Sequence, residues 1–231
     1  MKLALLLLPA VLAAQSVAFP GPGGITYTGP ITPVQGNSAC NSVLSIPSLT
    51  FSSGVALHHL IMVAINGANP SGLSGLTVTD TFGTTFIDAG HGIYSGFNAS
   101  FGSIWYGLAA GSGTDTVSVT PNPYCIAVNE FAFVSSTVDV SAFTASSGSP
   151  ISASVTTTAF PDLLYVAAFD SNSNTFTASG GWTIATQSSV GTSIATGSDI
   201  GNTATTYTES VALTSTGGVT QLIAIVAMKS P

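Results

Sequence analysis

Arginine is absent from this chain of 231 residues, lysine occurs twice, and charged residues make up only 5% of it. Without guanidinium groups there is no bidentate fork for a phosphate or a carboxylate. Two lysines cannot build the cationic patch on which phosphate-backbone binding runs, which excludes nucleic acid as a partner. The same shortage removes the Glu, Lys and Arg that normally cover the outer face of a long amphipathic helix. No window of helical length beyond the N-terminal residues shows a 3.6-residue apolar period. Cysteine is scarce as well, with Cys40 and Cys125 alone. What remains is apolar and rich in Ser, Thr and Gly: 45% of residues are hydrophobic, and nine acids against two lysines leave a net charge of -7. A chain this apolar is not disordered, because disorder needs low hydrophobicity and high charge.

Residues 1–18 read as a secretory signal peptide. Lys2 is the positive start, Leu3–Leu12 the short apolar core, and Ser16-Val17-Ala18 the small-x-small cleavage site. The apolar run is too short to span a bilayer, so no transmembrane segment is expected. The expected location is secreted, extracellular or cell-surface, with a periplasm as the bacterial equivalent. Removal of this segment leaves Lys229 as the one cation against nine acids. In an exported chain the even pair Cys40 and Cys125 predicts a disulfide.

Residues 19–36 hold Pro20, Pro22, Pro30 and Pro33 among several glycines and read as an extended Pro/Gly-rich arm that can pair with a sheet edge of its own chain or of a neighbouring copy. Beyond it, residues 37–231 read as a single domain of short strands rich in Val, Ile, Thr and aromatics, bounded by Gly, Pro, Asn and Ser. Strands are expected near 43–52, 56–66, 75–80, 84–89, 101–108, 115–120, 124–134, 151–157, 163–170, 174–178, 182–188, 193–197, 205–213 and 220–228. The two halves echo each other. Leu60–Ala64 returns as Leu163–Ala167, Thr77-Val-Thr79 as Thr175-Phe-Thr177, Ser103-Ile104 as Ser193-Ile194, Asp115–Val119 as Glu209–Leu213, and Ile126-Ala-Val128 as Ile223-Ala-Ile225. The pattern predicts an all-β, antiparallel two-sheet β-sandwich of jelly-roll or Greek-key type, with pseudo-repeats at 55–134 and 158–228 from an internal duplication.

Leu60–Ile65, Thr77-Val-Thr-Asp80 with Gly83-Thr-Thr-Phe86, Ile104-Trp-Tyr106, Val128-Asn-Glu-Phe131, Gly181-Trp-Thr183 and Ile225–Lys229 together resemble uncharacterised secreted or phage-associated bacterial β-sandwiches of lectin-like type. The resemblance implies a fold and a location. It brings no catalytic residues with it.

Five sets of residues are weighed for chemistry. Glu130 and Glu209, the only glutamates, fall in expected strands and are the candidate acid pair of a glycoside hydrolase. The alignment of Glu209 with Asp115 favours instead an acid near solvent at a strand start. Tyr94, Trp105 and Tyr106 are candidate ligand-binding aromatics, set against core packing as the default for strand aromatics. Asp170, Asn172 and Asn174 alternate like the start of a calcium loop, but Thr175 replaces the loop glycine and no acid closes the motif. Adjacent His58 and His59 in a strand would point to opposite faces. Thr-rich segments such as Thr77, Thr79, Thr84 and Thr85, and Thr203, Thr205, Thr206 and Thr208, loosely resemble a flat hydroxyl surface. The reading is a non-enzymatic extracellular adhesive or structural module, with glycans or copies of itself as partners and no cofactor apart from calcium. The alternatives are a lectin-like carbohydrate-binding module and, behind it, the hydrolase.

Overall fold

The computed structural model describes residues 19–20, 26–27, 29–68, 70–94, 100–213 and 220–231. The signal peptide read at residues 1–18 and most of the proline-rich stretch up to residue 28 lie outside the described residues. No helix among the described residues is long and apolar enough to cross a membrane. Apart from a short 3-10 turn at Pro70–Gly75, the regular structure of the described residues is β.

Among the described residues, strands β1 (Phe19–Pro20) and β2 (Thr26–Tyr27) pair only with each other. The other sixteen form two sets of eight. The first is β3 (Thr32–Cys40), β4 (Ser48–Thr50), β5 (Leu60–Ala68), β6 (Thr77–Thr79), β7 (Ile87–Tyr94), β8 (Ser100–Leu108), β9 (Thr116–Thr120) and β10 (Cys125–Ala132). The second is β11 (Val138–Ser146), β12 (Ile151–Thr156), β13 (Asp162–Asp170), β14 (Phe176–Ser179), β15 (Thr183–Val190), β16 (Thr192–Gly201), β17 (Thr206–Leu213) and β18 (Gln221–Lys229). The sheets run β3-β10-β5-β8-β7 with β4-β9-β6, and β11-β18-β13-β16-β15 with β12-β17-β14. Within each set the first strand pairs with the last, the second with the seventh and the third with the sixth. That is jelly-roll winding, with the fifth strand moved into the larger sheet.

The structural repeat therefore runs wider than the expected 55–134 and 158–228: it takes in β3, β4, β11 and β12. Ladder register refines it. Val78 faces Val119 and Phe176 faces Leu213, which makes Asp115 and Glu209 equivalent. Ala64 faces Ile104 whereas Ala167 faces Thr196, so the echo of Ser103-Ile104 at Ser193-Ile194 is two residues out of structural register.

The sheets stack in four layers, three-stranded, five, five and three. Leu60, Met62 and Ala64 share the central layer with Leu163, Tyr165 and Ala167. The alternate residues Ile61, Val63 and Ile65 face β4-β9-β6, and Leu164, Val166 and Ala168 face β12-β17-β14. Each five-stranded sheet is thus covered on both faces. This is why Leu60–Ile65 and Leu222–Met228 are continuous apolar runs and not alternating ones. Across the central layer β3 packs on β15, β7 on β11 and β10 on β16. Exchanging the halves turns the β3–β15 contact into the β7–β11 contact, the relation of an internal pseudo-twofold, while β10 on β16 has no counterpart of similar extent between β18 and β8.

Buried polar side chains fix how the halves meet. Asn66 donates to the carbonyls of Asp170 and Ser193 at 3.1 Å each and accepts from Tyr94 Oη at 2.7 Å. Asn129 Oδ1 accepts from Tyr165 Oη at 3.0 Å and Thr196 Oγ1 at 2.7 Å. Any sliding of one half on the other would strand these groups without partners, which is costly in a low-dielectric interior.

Residues 32–36, expected in the arm, belong to β3, an edge strand on which Pro33 is tolerated. Cys40 faces Cys125 across the β3–β10 ladder and the two are disulfide-bonded, 85 residues apart in sequence. Closing a loop of that length removes about 4.5 kcal/mol of denatured-state entropy in the chain-entropy model. The Cys40→Ser/Cys125→Ser double variant is expected to lose about that much in urea unfolding. A loss below about 1 kcal/mol would mean that packing alone holds β3.

Candidate functional site

With Lys229 the only lysine or arginine among the described residues, every carboxylate except Asp139 beside it must find backbone amides, a histidine, an amide or a neighbouring acid. The nine acids divide into three acid–acid pairs and three single acids.

Glu130, on β10, points into the layer under β4-β9-β6 and is buried. It accepts from Gln35 Nε2 at 2.6 Å and from the Ala56 amide at 2.9 Å, and lies 2.7 Å from His59 Nδ1. His59 does not sit in a strand as expected: β5 begins at Leu60, and the preceding turn places His58 at a φ of 65°. Glu209, on β17, faces the other outer core beside Val211 and Leu213. The two glutamates lie on opposite sides of the central double sheet. Two sheet spacings of about 10 Å separate their layers, against the roughly 5–9.5 Å of a glycosidase pair. The candidate acid pair Glu130 and Glu209 is thereby withdrawn.

Asp115 and Glu209 do the same work in each half. Asp115 Oδ1 accepts from the Thr81 amide at 3.1 Å, and Glu209 Oε2 from the Gly181 and Trp182 amides at 2.9 and 3.2 Å. Asp115, just before β9, and Glu209, inside β17 and not at its start as expected, tie down the turn after the sixth and the fourteenth strand respectively. Both are buried, at 0% and 2% exposure, and not near solvent as expected. Burial pushes both carboxyls up, helped by the charge of a second acid, Asp80 beside Asp115 and Asp199 beside Glu209.

Asp139 and Asp162 form the third pair, next to Lys229. Asp139 accepts from the Thr158 amide and hydroxyl and lies 3.3 Å from Lys229 Nζ. Asp162 is fully buried, and neither of its carboxyl oxygens meets a donor. Burial, then the Asp139 charge, pushes it up to about 7.

The calcium-loop candidate closes on itself. Asp170 Oδ1 accepts from the Asn172 amide, Oδ2 accepts from Asn174 Nδ2, and the Asn174 amide donates to Ser193 Oγ. The Asn174 side chain turns its NH2 donor to the carboxylate, the reverse of an oxygen ligand. Asp170, Asn172 and Asn174 thus build an Asx-type turn, and burial pushes the Asp170 carboxyl up. Among the described residues no group of three or more His, Cys, Asp or Glu gathers around a common point. Asp88 accepts from the Gly90 amide and lies 3.1 Å from His91 Nδ1.

The aromatic candidates are not assembled into a platform. Tyr94 and Tyr106 are buried in the central layer and Trp105 packs half-buried against the first outer core. Trp182 is buried as well, its Nε1 donating to the Ser210 carbonyl at 2.8 Å.

Two surface features stand out, and neither was read fully from the sequence. One is an open cleft of about 320 Å³ where β3 of the first half meets β15 and β16 of the second, lined by Pro33, Gly181, Thr183, Ser198, Asp199 and Ile200. The other is the outer face of each three-stranded sheet. On the second, Ser152 pairs with Ser210, Ser154 with Thr208 and Thr156 with Thr206, hydroxyl to hydroxyl, at 2.7–2.8 Å. On the first, Thr50 pairs with Thr116 at 2.8 Å, with Ser48, Ser118, Thr77 and Thr79 on the same sheet. Thr84, expected among these hydroxyls, is instead buried and accepts from the Ala110 amide. The signal for Ser152 and Ser154 lay in the strict alternation of Ile151-Ser-Ala-Ser-Val-Thr156, in which every polar position is a hydroxyl. The chain matches no protein-family model, and no curated protein or solved structure matches it.

Proposed function

We propose that the protein is a non-catalytic extracellular module that attaches to hydroxyl-rich surfaces, polysaccharide above all, through its outer sheets. The observation that carries this reading is the uncharged hydroxyl ladder of β12-β17. Adjacent strands lie about 4.8 Å apart and alternate residues about 6.7 Å apart along a strand, so the hydroxyls form a flat, regular array. Each hydroxyl has one donor and two acceptor positions, and a hydroxyl pair uses one donor and one acceptor between its members. The rest stay available for sugar hydroxyls. The disulfide agrees with an oxidising location. A second reading is a lectin-like site in the cleft, favoured by the Asp199 carboxylate with the Ser198 and Thr183 hydroxyls around it.

Depletion of the protein from solution by insoluble polysaccharides tests both. Ser154→Lys/Thr208→Lys is expected to cut binding at least tenfold while Asp199→Ala leaves it unchanged. The opposite pattern would move the site to the cleft. Turnover of chromogenic glycosides that Glu130→Gln abolishes would overturn the non-catalytic reading.

A further inference from the structure

Asp139 and Asp162 meet beside Lys229, so that pair has a cation built in. Asp80 and Asp115 meet with none. They bind consecutive amides of one turn: Asp115 Oδ1 takes the Thr81 N–H, and Asp80 Oδ1 takes the Phe82 N–H at 3.1 Å and the Thr84 N–H at 2.8 Å. Gripping neighbouring amides brings the two carboxylates side by side and commits one oxygen of each. The remaining oxygens, Asp80 Oδ2 and Asp115 Oδ2, are both buried and neither meets a donor. Asp115 as a whole is fully buried. Orphaned buried acceptors of this kind cost free energy unless something positive fills the gap.

We propose that Asp80 Oδ2 and Asp115 Oδ2 are ligands of a divalent cation seated at the β6–β9 end of the first half, and that the cation is calcium. The donors are oxygens alone, with no histidine or cysteine, which selects a hard cation. Calcium accepts irregular oxygen sets completed by carbonyls and water, where magnesium demands a near-ideal octahedron. Two carboxylates supply modest charge, so the affinity belongs in the 10⁻⁴–10⁻³ M range of calcium sites in extracellular modules. The site ties the turn after β6 to the start of β9. The equivalent acid of the second half, Glu209, has no counterpart of Asp80, because Ala178 occupies that position.

Thermal unfolding of the full chain in 10 mM calcium chloride against EDTA, at constant ionic strength and pH 7.5, tests the proposal. Calcium is expected to raise Tm by about 3–10 °C. The rise should vanish in Asp115→Asn and in Asp80→Asn and persist in Asp199→Asn. Equilibrium dialysis of the unmodified protein with calcium serves if either variant fails to fold, and is expected to give one site per chain at millimolar calcium. No Tm shift and no retained calcium would mean that the pair shares a proton instead, which overturns the proposal. A shift that survives Asp115→Asn overturns it equally.

Discussion

Asp162→Asn is expected to stabilise the protein at pH 8 by about 4 kcal/mol relative to the unsubstituted chain, and to change little at pH 4. Asp162 is fully buried at the start of β13, beside an Asp139 carboxylate that the Thr158 donors and Lys229 hold ionised, down at about 2. Its own carboxyl is pushed up to about 7 from 3.8. The folded state therefore keeps a proton that the unfolded chain gives up near pH 4. Stability from Asp162 is fully present below that point. It falls by about 1.4 kcal/mol per pH unit as pH rises, and the loss is complete once the folded carboxyl has ionised, above pH 7. The carboxamide of Asn keeps a donor toward Asp139 and never ionises, so the variant should lose the Asp162 share of the slope and show a shallower profile over pH 5–8, the raised Asp115, Asp170 and Glu209 carboxyls keeping theirs. Asp139 acts in the opposite sense and in another window. Its contribution is present above pH 4 and lost as pH falls toward 2. Urea unfolding at pH 5 and pH 8 separates the two. Parallel profiles for the two proteins would show that Asp162 ionises without cost and that its burial is relieved in solution.

Most of the strands were legible because the chain writes burial directly into its residues. Leu60–Ile65, Leu163–Phe169 and Leu222–Met228 carry unbroken apolar runs, and Ile151–Thr156 alternates strictly, so both kinds of sheet environment leave a pattern. Besides the two-residue β1 and β2, the strands that escaped are β3 and β11, which are the same strand of each jelly roll. Both lie at the edge of a five-stranded sheet with one face toward the other half, and both are part-buried along most of their length. Thr32–Cys40 and Val138–Ser146 accordingly mix small, polar and apolar residues with no clear period, and Pro33 made the first look like linker. The four-layer stack was illegible for a related reason. A continuous apolar run says that both faces are covered but not by what. The site was less legible than the fold. Glu130, Asp115 and Glu209 turned out to be bound by backbone amides of distant turns, and no local spacing announces such partners. Asp80 and Asp115 stand 35 residues apart in sequence and are neighbours only because β6 pairs with β9.

The packing of one half on the other rests on close approach at Gly102, and Gly102→Val is expected to cost about 3 kcal/mol. Gly102 sits on β8 with Ile104 and Tyr106, facing the central layer. A Cβ there would lie 2.7 Å from Leu222 Cδ2 and 2.7 Å from Phe169 Cδ2, both across the interface and both essentially unexposed. Neither side chain has solvent to retreat into, so an added branch must push the five-stranded sheets apart. Separation would also lengthen the Asn66 bonds to the Asp170 and Ser193 carbonyls, which span the same gap. Phe169→Ala alone opens a cavity and is expected to cost about 3–5 kcal/mol. In the double variant the valine branch occupies part of that cavity, and the loss should fall short of the sum by at least 1 kcal/mol. A control at Gly75, where an added Cβ meets nothing within 4 Å, should shift stability by less than about 0.5 kcal/mol. The measurement is urea unfolding of the four variants and the unsubstituted chain. Strictly additive losses at Gly102 and Phe169 would mean that the halves do not touch through this pair, and that the buried asparagines alone set their register.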